Sequence, residues 1–268
     1  MTGLSKLHGL GNDFLVALVD PPAPDPAVAA ALCARRTGVG ADGLIYGLVP
    51  SVDDADVRMV LLNADGSEAE ISGNGIRCLA QEFLRVAGRG EGTVRIETAV
   101  GVRTVRTVRG DPAGELVSEV DFGIARPGPG VLRSADAVPA RHRASVDVGN
   151  PHVVLVTDRV DDLDVAVVGP QVEAAYPAGV NVHLATVGPE DAVALRVWER
   201  GVGVTEACGS GAVATAWALH ELGLVGSHVA VDMPGGSVEV VVGDDGRLSL
   251  VGPSVFVGSV EPAEGLWP

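Results

Sequence analysis

Two stretches of the chain, Val57 to Leu62 and Val193 to Trp198, are dense in β-branched and aliphatic residues and read as strands. Each leads through a loop to a glycine-rich turn. Each turn opens a run that is apolar on most faces, Ile76 to Val86 and Ala212 to Leu222, and both runs read as helices. Gly88 and Gly223 stand where a helix C-terminus takes glycine. Strand-like segments follow, Thr93 to Val108 and His228 to Val242, the second folded at Pro234-Gly235-Gly236. A helix that is apolar on most faces must be buried on most faces, so each is expected inside a curved sheet. A last strand, around Ser254 to Val260, is expected to pair back with the first half.

The likeness of the two halves extends to single residues. Four landmarks recur in the same order, offset by 136 to 139 positions. Gly11-Asn12-Asp13-Phe14-Leu15-Val16 answers to Gly149-Asn150-Pro151-His152-Val153-Val154, and Gly40-Ala41-Asp42-Gly43-Leu44-Ile45 to Gly179-Val180-Asn181-Val182-His183-Leu184. Asn63 lies nine residues before Ser72, and Glu199 nine before Cys208. Ser72-Gly73-Asn74-Gly75 answers to Cys208-Gly209-Ser210-Gly211. One glycine match means little in a chain with 36 glycines, but four in register indicate an internal duplication. The expected fold is α/β: two pseudo-symmetric domains, each a mostly antiparallel curved β-sheet around a central helix. The expected halves are 1–118, completed by the strand at 254–268, and 119–253, with the active site in the cleft between them.

Composition narrows the function. The net charge of −16 leaves no basic stripe for nucleic acid and would be repelled by an anionic membrane surface. No apolar run has the ~18 residues of a membrane span and no signal peptide follows Met1, so a cytoplasmic protein is expected. Cys33, Cys78 and Cys208 are odd in number and widely spaced, which fits neither a disulfide framework nor a zinc site. The histidines have no metal-ligand spacing, so no metal is expected. Lys6 is the only lysine, at the start of the chain, which argues against a pyridoxal-phosphate Schiff base. Gly38-Val39-Gly40-Ala41-Asp42-Gly43 fits G-x-G-x-x-G, but a helix-like run precedes it and a strand-like one follows. That is the reverse of a dinucleotide site.

The chemistry gathers at the two turns. Ser72 and Cys208 each stand at a glycine-rich helix start. The backbone N–H groups of Gly73, Asn74, Gly209 and Ser210, at the helix starts, favour an anion such as a carboxylate. The helix dipole is expected to lower the pKa of Cys208. Two such turns facing one α-carbon could remove a proton from one face and return one to the other, which is what inversion requires. Asn12, Asn63, Asn150 and Asn181 either line that cleft or satisfy their own turns. Glu199 and Arg200 either complement a substrate amino group and carboxylate or end a solvated strand. His152 either assists proton transfer or is a satisfied structural histidine. Cys78 and Cys33 read as core.

These residues resemble one family. Lys6 through Phe14, Asn63 through Ser67, Gly73-Asn-Gly75 with Arg77-Cys78, Gly149 through His152, Gly179 through Val182, Glu199 through Gly201 and Ala207 through Gly211 are similar to the signature of diaminopimelate epimerase. The resemblance covers almost the whole chain. It implies interconversion of LL- and meso-diaminopimelate, for lysine and peptidoglycan synthesis, without cofactor or metal. It further implies substrate contacts from Asn12, Asn63, Asn150, Asn181, Glu199 and Arg200, and from the backbone of Gly73, Asn74, Gly209 and Ser210. A homodimer is one assembly open to such a protein; its partner is otherwise a small amino acid.

The chain departs from the family pattern at three places. Ser72 replaces the first catalytic cysteine, Val204 replaces a glutamate beside Thr205, and Gly43 stands where some members carry glutamine. A thiol with a pKa of ~8.5 can be tuned toward neutrality, whereas a hydroxyl starts far higher and makes a poor base. Ser72 is then an introduced change, a natural variant that still epimerises, or a sign of one-base chemistry such as a racemisation or elimination on a related amino acid. A binding protein that has lost turnover is the non-enzyme alternative.

Overall fold

The structure, a computed structural model, describes residues 3–18, 22–69, 72–263 and 265–267. The chain divides into two compact units, Met1–Val120 with Gly252–Pro268, and Asp121–Val251.

The first unit runs β1 (Leu4–Gly9), β2 (Asn12–Ala17), α1 (Pro26–Cys33), β3 (Gly43–Leu48), β4 (Val57–Asn63), β5 (Glu68–Ala69), α2 (Gly73–Val86), β6 (Thr93–Thr98) and β7 (Gly101–Gly110), and ends within β8 (Glu115–Ile124). The second runs β9 (Arg126–Pro127), β10 (His142–Asp147), β11 (Pro151–Val156), α3 (Val165–Glu173), β12 (Asn181–Val187), β13 (Ala192–Glu199), β14 (Gly203–Thr205), α4 (Gly209–Glu221), β15 (His228–Met233), β16 (Gly236–Val242) and the start of β17 (Arg247–Val260), whose remainder belongs to the first unit.

The pairings repeat with the elements. β1–β2 and β10–β11 are antiparallel, β2–β3 and β11–β12 parallel, β3–β4 and β12–β13 antiparallel, and β4–β6 and β13–β15 parallel. The register repeats too. Val16 faces Ile45 as Val154 faces His183, an offset of 138 for both, so the strand pairing matches Ile45 to His183, one residue from the Leu184 of the sequence match. The end of β17 returns to the first unit, where Leu4 faces Val260 and Leu7 faces Phe256. The expected α/β class, a mostly antiparallel sheet with one central helix in each half, holds.

Both central helices are buried, though for different reasons. The buried residues of α4 are all Gly, Ala, Ser, Thr, Val or Leu, so it packs closely with little side chain to accommodate. The expectation of an apolar helix is wrong for α2, which buries Arg77, Gln81 and Glu82. Their polar groups find partners in the fold, except Gln81 Oε1, which has none among the described residues. Gln81 Nε2 donates to the carbonyls of Pro112 (3.0 Å) and Gly114 (2.8 Å), and Glu82 accepts from Ser5 Oγ (2.8 Å) and from Arg85. Both helices end as the sequence suggests. Gly88 (φ 66°) and Gly223 (φ 69°) take the left-handed conformation that closes a helix C-terminus. The G-x-G-x-x-G segment joins α1 to β3, and a Cβ at Gly38 would lie 2.1 Å from the Ala31 carbonyl oxygen. Those glycines let the chain turn back on α1 and open no helix.

Candidate active site

Each unit carries candidate site residues at the start of its central helix. Ser72 (φ −135°, ψ 118°) is the N-cap of α2, and its Oγ accepts from the Gly75 N–H at 3.0 Å. Cys208 (φ −131°, ψ 111°) is the N-cap of α4, and its Sγ accepts from the Gly211 N–H at 3.4 Å. An N-cap needs extended backbone and an acceptor side chain for the third residue on, and both residues meet that need. Serine is a standard cap. A cysteine makes a weaker one. The first N–H groups of each helix have no intrahelical acceptor and leave the tip receptive to an anion.

The electrostatics at Cys208 correct the sequence expectation. The thiol is 3% exposed, and burial pushes its pKa well above the ordinary cysteine value; the neighbouring Glu199 carboxylate pushes the same way. Hydrogen bonds from Ser210 and from the Gly211 N–H pull it down, but not far enough. The helix start therefore does not by itself make a thiolate here, because a buried anion beside a carboxylate loses more than the dipole returns. Glu199, at the end of β13, accepts from Thr205 Oγ1 at 2.6 Å. The adjacent Val204 is exposed and supplies no second carboxylate.

In the first unit the structure brings Asn12 and Asn74 together. Asn12 Nδ2 donates to Asp42 at 2.8 Å, and its Oδ1 accepts from Asn74 Nδ2 at 3.1 Å, so both ends of the Asn12 amide are held. Asp42 also accepts from the Asp13 N–H and from Arg35. Asn74 accepts at 2.8 Å from Arg77, a side chain with no exposed surface. Arg77 donates further to the carbonyls of Gly73 (2.8 Å) and Pro253 (3.2 Å), and no carboxylate pairs with it among the described residues. Burial lowers its pKa to about 10, which still leaves a cation at neutral pH directly behind the tip of α2. Asn63 lies apart from this group, donating to Ser67 Oγ (3.0 Å) within its own turn.

In the second unit, Asn150 Oδ1 lies 2.8 Å from His152 Nε2, and His152 Nδ1 lies 2.8 Å from His183 Nε2. Both imidazoles are fully buried and stacked, with ring centroids 5.0 Å apart. Burial holds His183 down to about pKa 3 and His152 well below its ordinary value, so both are neutral. A neutral His152 bonded at both ring nitrogens is a positioning group rather than a free acid or base. Asn181 donates to the Pro151 carbonyl (2.9 Å) and accepts from the Arg200 N–H (3.0 Å). The Arg200 stem lies over Gly179, where a Cβ would come within 2.6 Å of it, and Arg200 Nη1 donates to the Ala178 carbonyl (3.2 Å).

Sequence reasoning passed over Arg77, Asp42 and His183. The first had a signal, a charged residue in the middle of a buried helix. The other two had none, because their roles rest on contacts between β2 and β3 and between β11 and β12. Lys6 is engaged as well, bonded to the Gly40 carbonyl and paired with Asp13 at 2.8 Å. Among the described residues no group of three or more His, Cys, Asp or Glu could hold a metal ion, and no helix is long and apolar enough to cross a membrane.

Residues 4–125 and 144–257 match the family model described as diaminopimelate epimerase. The chain belongs to that family. It is 39% identical to the diaminopimelate epimerase of Synechocystis sp. over 278 aligned positions, covering 96% of this chain and 98% of the relative. To that of Sphingopyxis alaskensis it is 40% identical, covering 97% of each. Its fold is similar to that of a Pseudomonas aeruginosa protein described as a predicted epimerase, with a TM-score of 0.78 and 19% identity over 97% of this chain and 99% of that one. As a member of the diaminopimelate epimerase family the chain is an isomerase, an epimerase of the kind that works without pyridoxal phosphate.

Proposed function

We propose that this epimerase interconverts LL- and meso-diaminopimelate by proton transfer across the two faces of one α-carbon, with Cys208 and Ser72 on opposite faces. The observation that carries the reading is the matched N-cap geometry of these two residues on repeat-related helices, in a member of this family. Both helix starts act on one substrate. The N–H groups of Gly73, Asn74, Gly209 and Ser210 hold its α-carboxylate, with Arg77 adding positive charge behind the tip of α2. Asn12, Asn63, Asn150, Asn181, Glu199 and Arg200 bind the remaining polar groups, with the substrate ammonium near Glu199.

That placement supplies what the buried thiol lacks on its own. An ammonium paired with Glu199 cancels the like-charge repulsion that raises the Cys208 pKa, so the thiolate forms with substrate bound. The thiolate takes the α-proton, the carbanion's charge spreads into a carboxylate held by the helix N–H groups, and a proton returns on the far face from the Ser72 hydroxyl or a water it holds. Ser72 is a weak partner in this exchange, so inversion is slower than a second thiol would make it. The enzyme needs neither metal nor pyridoxal; its one lysine is already committed to Asp13. It works in the cytoplasm, and a homodimer is one assembly open to it.

The test is turnover of LL-diaminopimelate in D₂O by dialysed enzyme, followed by separation of the isomers. Meso product with α-deuterium is expected, with unequal exchange from the two starting configurations because only one face meets a thiol. Equal incorporation from both, at rates matching inversion, would show that Ser72 acts as a full second acid–base group. Binding without turnover would overturn the assignment.

A further inference from the structure

His183 has no place in the chemistry above, yet it touches two parts of the second half-site. Its ring lies against the first turn of α4, where a Cβ on Gly211 would sit 2.4 Å from its Cε1. Through Nε2 it meets His152, and through His152 it meets Asn150. The corresponding positions of the first unit carry no such relay. Phe14 and Ile45 stand where the second unit has His152 and His183, and the Asn12 amide is fixed instead by Asp42 and Asn74.

One atom decides the direction of the relay. His183 Nδ1 is buried and has no hydrogen-bond partner among the described residues. An orphaned buried N–H is the rarer and costlier of the two vacancies, so the proton of His183 resides on Nε2. His183 Nε2–H then donates to His152 Nδ1, His152 carries its own proton on Nε2, and that proton goes to Asn150 Oδ1. The Asn150 oxygen is engaged, and its Nδ2 is left as the outward end of the amide. With the opposite tautomers the amide would be turned round and would present its oxygen.

We infer that His183 is a positioning and specificity-determining residue: through the tautomer of His152 it fixes Asn150 as a hydrogen-bond donor, suited to a substrate carboxylate and unsuited to an ammonium at that point. This deepens the epimerase reading and rests on it for the identity of the ligand.

The experiment uses ¹⁵N-histidine-labelled full-length enzyme and two-bond ¹H–¹⁵N correlation spectra, which separate Nδ1-H from Nε2-H imidazoles without any substrate. Both His152 and His183 are expected as neutral Nε2-H forms in the wild type. His183→Phe keeps the volume against Gly211 and removes the donor. It should release His152 into a mixture of tautomers and raise KM for LL-diaminopimelate more than tenfold with a smaller change in kcat. His183→Gln, which restores an N–H donor, should recover part of both. If His183→Phe fails to fold, the wild-type spectrum and the glutamine variant still decide. A wild-type His152 protonated on Nδ1 would overturn the inference. So would a redistributed tautomer with KM changed less than twofold. Wild-type enzyme with the expected tautomers but no turnover of diaminopimelate would count against the proposed substrate and leave the relay standing.

Discussion

Gly75 and Gly211 hold the same place in the two repeats, three residues after the cap, and replacing each by alanine should give opposite results. At Gly75 the added Cβ would meet Met59 Cε at 3.1 Å, Ile45 Cδ1 at 3.2 Å and Ser72 Cβ at 3.2 Å. Two of these three atoms are the ends of flexible side chains that can give by a few tenths of an ångström. Alanine is favoured over glycine within a helix by up to ~1 kcal/mol, so Gly75→Ala should leave stability within about 0.5 kcal/mol of the wild type. At Gly211 the Cβ would fall 2.4 Å from His183 Cε1 and 2.9 Å from Nε2, against a planar ring stacked on His152 and bonded to it. Overpacking of a tight core costs ~1–3 kcal/mol and is only partly offset by helix propensity, so a net loss of about 1–2 kcal/mol is expected. For a chain of this size that lowers the thermal midpoint by roughly 2–8 °C. The two variants should be compared by thermal unfolding and by kcat/KM, the second falling at least tenfold for Gly211→Ala because the Cys208 turn and the histidine relay move together. A double-mutant cycle with His183→Ala removes the obstructing ring and should recover most of the stability lost to Gly211→Ala. Equal tolerance at the two glycines, or no coupling in the cycle, would refute the packing argument.

Ser72→Cys should raise kcat by ~10²–10⁴-fold in steady-state assays, the usual contribution of a well-placed acid or base, whereas Cys208→Ala should abolish turnover; an unchanged rate in Ser72→Cys would mean that this turn is built for other chemistry. Arg200→Met should weaken substrate binding more than tenfold by calorimetry, since a buried charge partner left unpaired costs roughly 2–5 kcal/mol. Acid stability should depend on the histidine pair. The folded-state pKa of His183, about 3, lies below its unfolded value of about 6.5, so the unfolded chain binds the extra proton between those limits. Stability should therefore fall as pH drops from 6.5 toward 3, by up to ~1.4 kcal/mol per pH unit from this group, and His183→Phe should flatten the slope in urea titrations read at several pH values.

The elements legible in the sequence were those encoded by local pattern. β4 and β13 were marked by β-branched density, α2 and α4 by glycine-rich starts and by closing glycines at Gly88 and Gly223, α4 also by its apolar run, and the duplication by four motifs in register. The positions of Ser72 and Cys208 as helix caps followed as well, because an N-cap is a property of a few consecutive residues. The polar interior of α2 did not follow. Arg77, Gln81 and Glu82 find their partners at Asn74, Pro253, Pro112, Gly114 and Ser5, most of them distant in the chain.

By itself, then, the sequence determined the repeat, the helix starts and their capping side chains, all of which depend on neighbours along the chain. The tertiary structure decided the electrostatics. Whether the Cys208 thiol ionises depends on its burial and on Glu199, which β13 brings alongside it. Which way the Asn150 amide points depends on His152 and, through it, on His183, which the parallel pairing of β11 with β12 sets beside it. A pKa and a tautomer answer to every charge and dipole within a few ångströms, and only the folded chain specifies which residues those are.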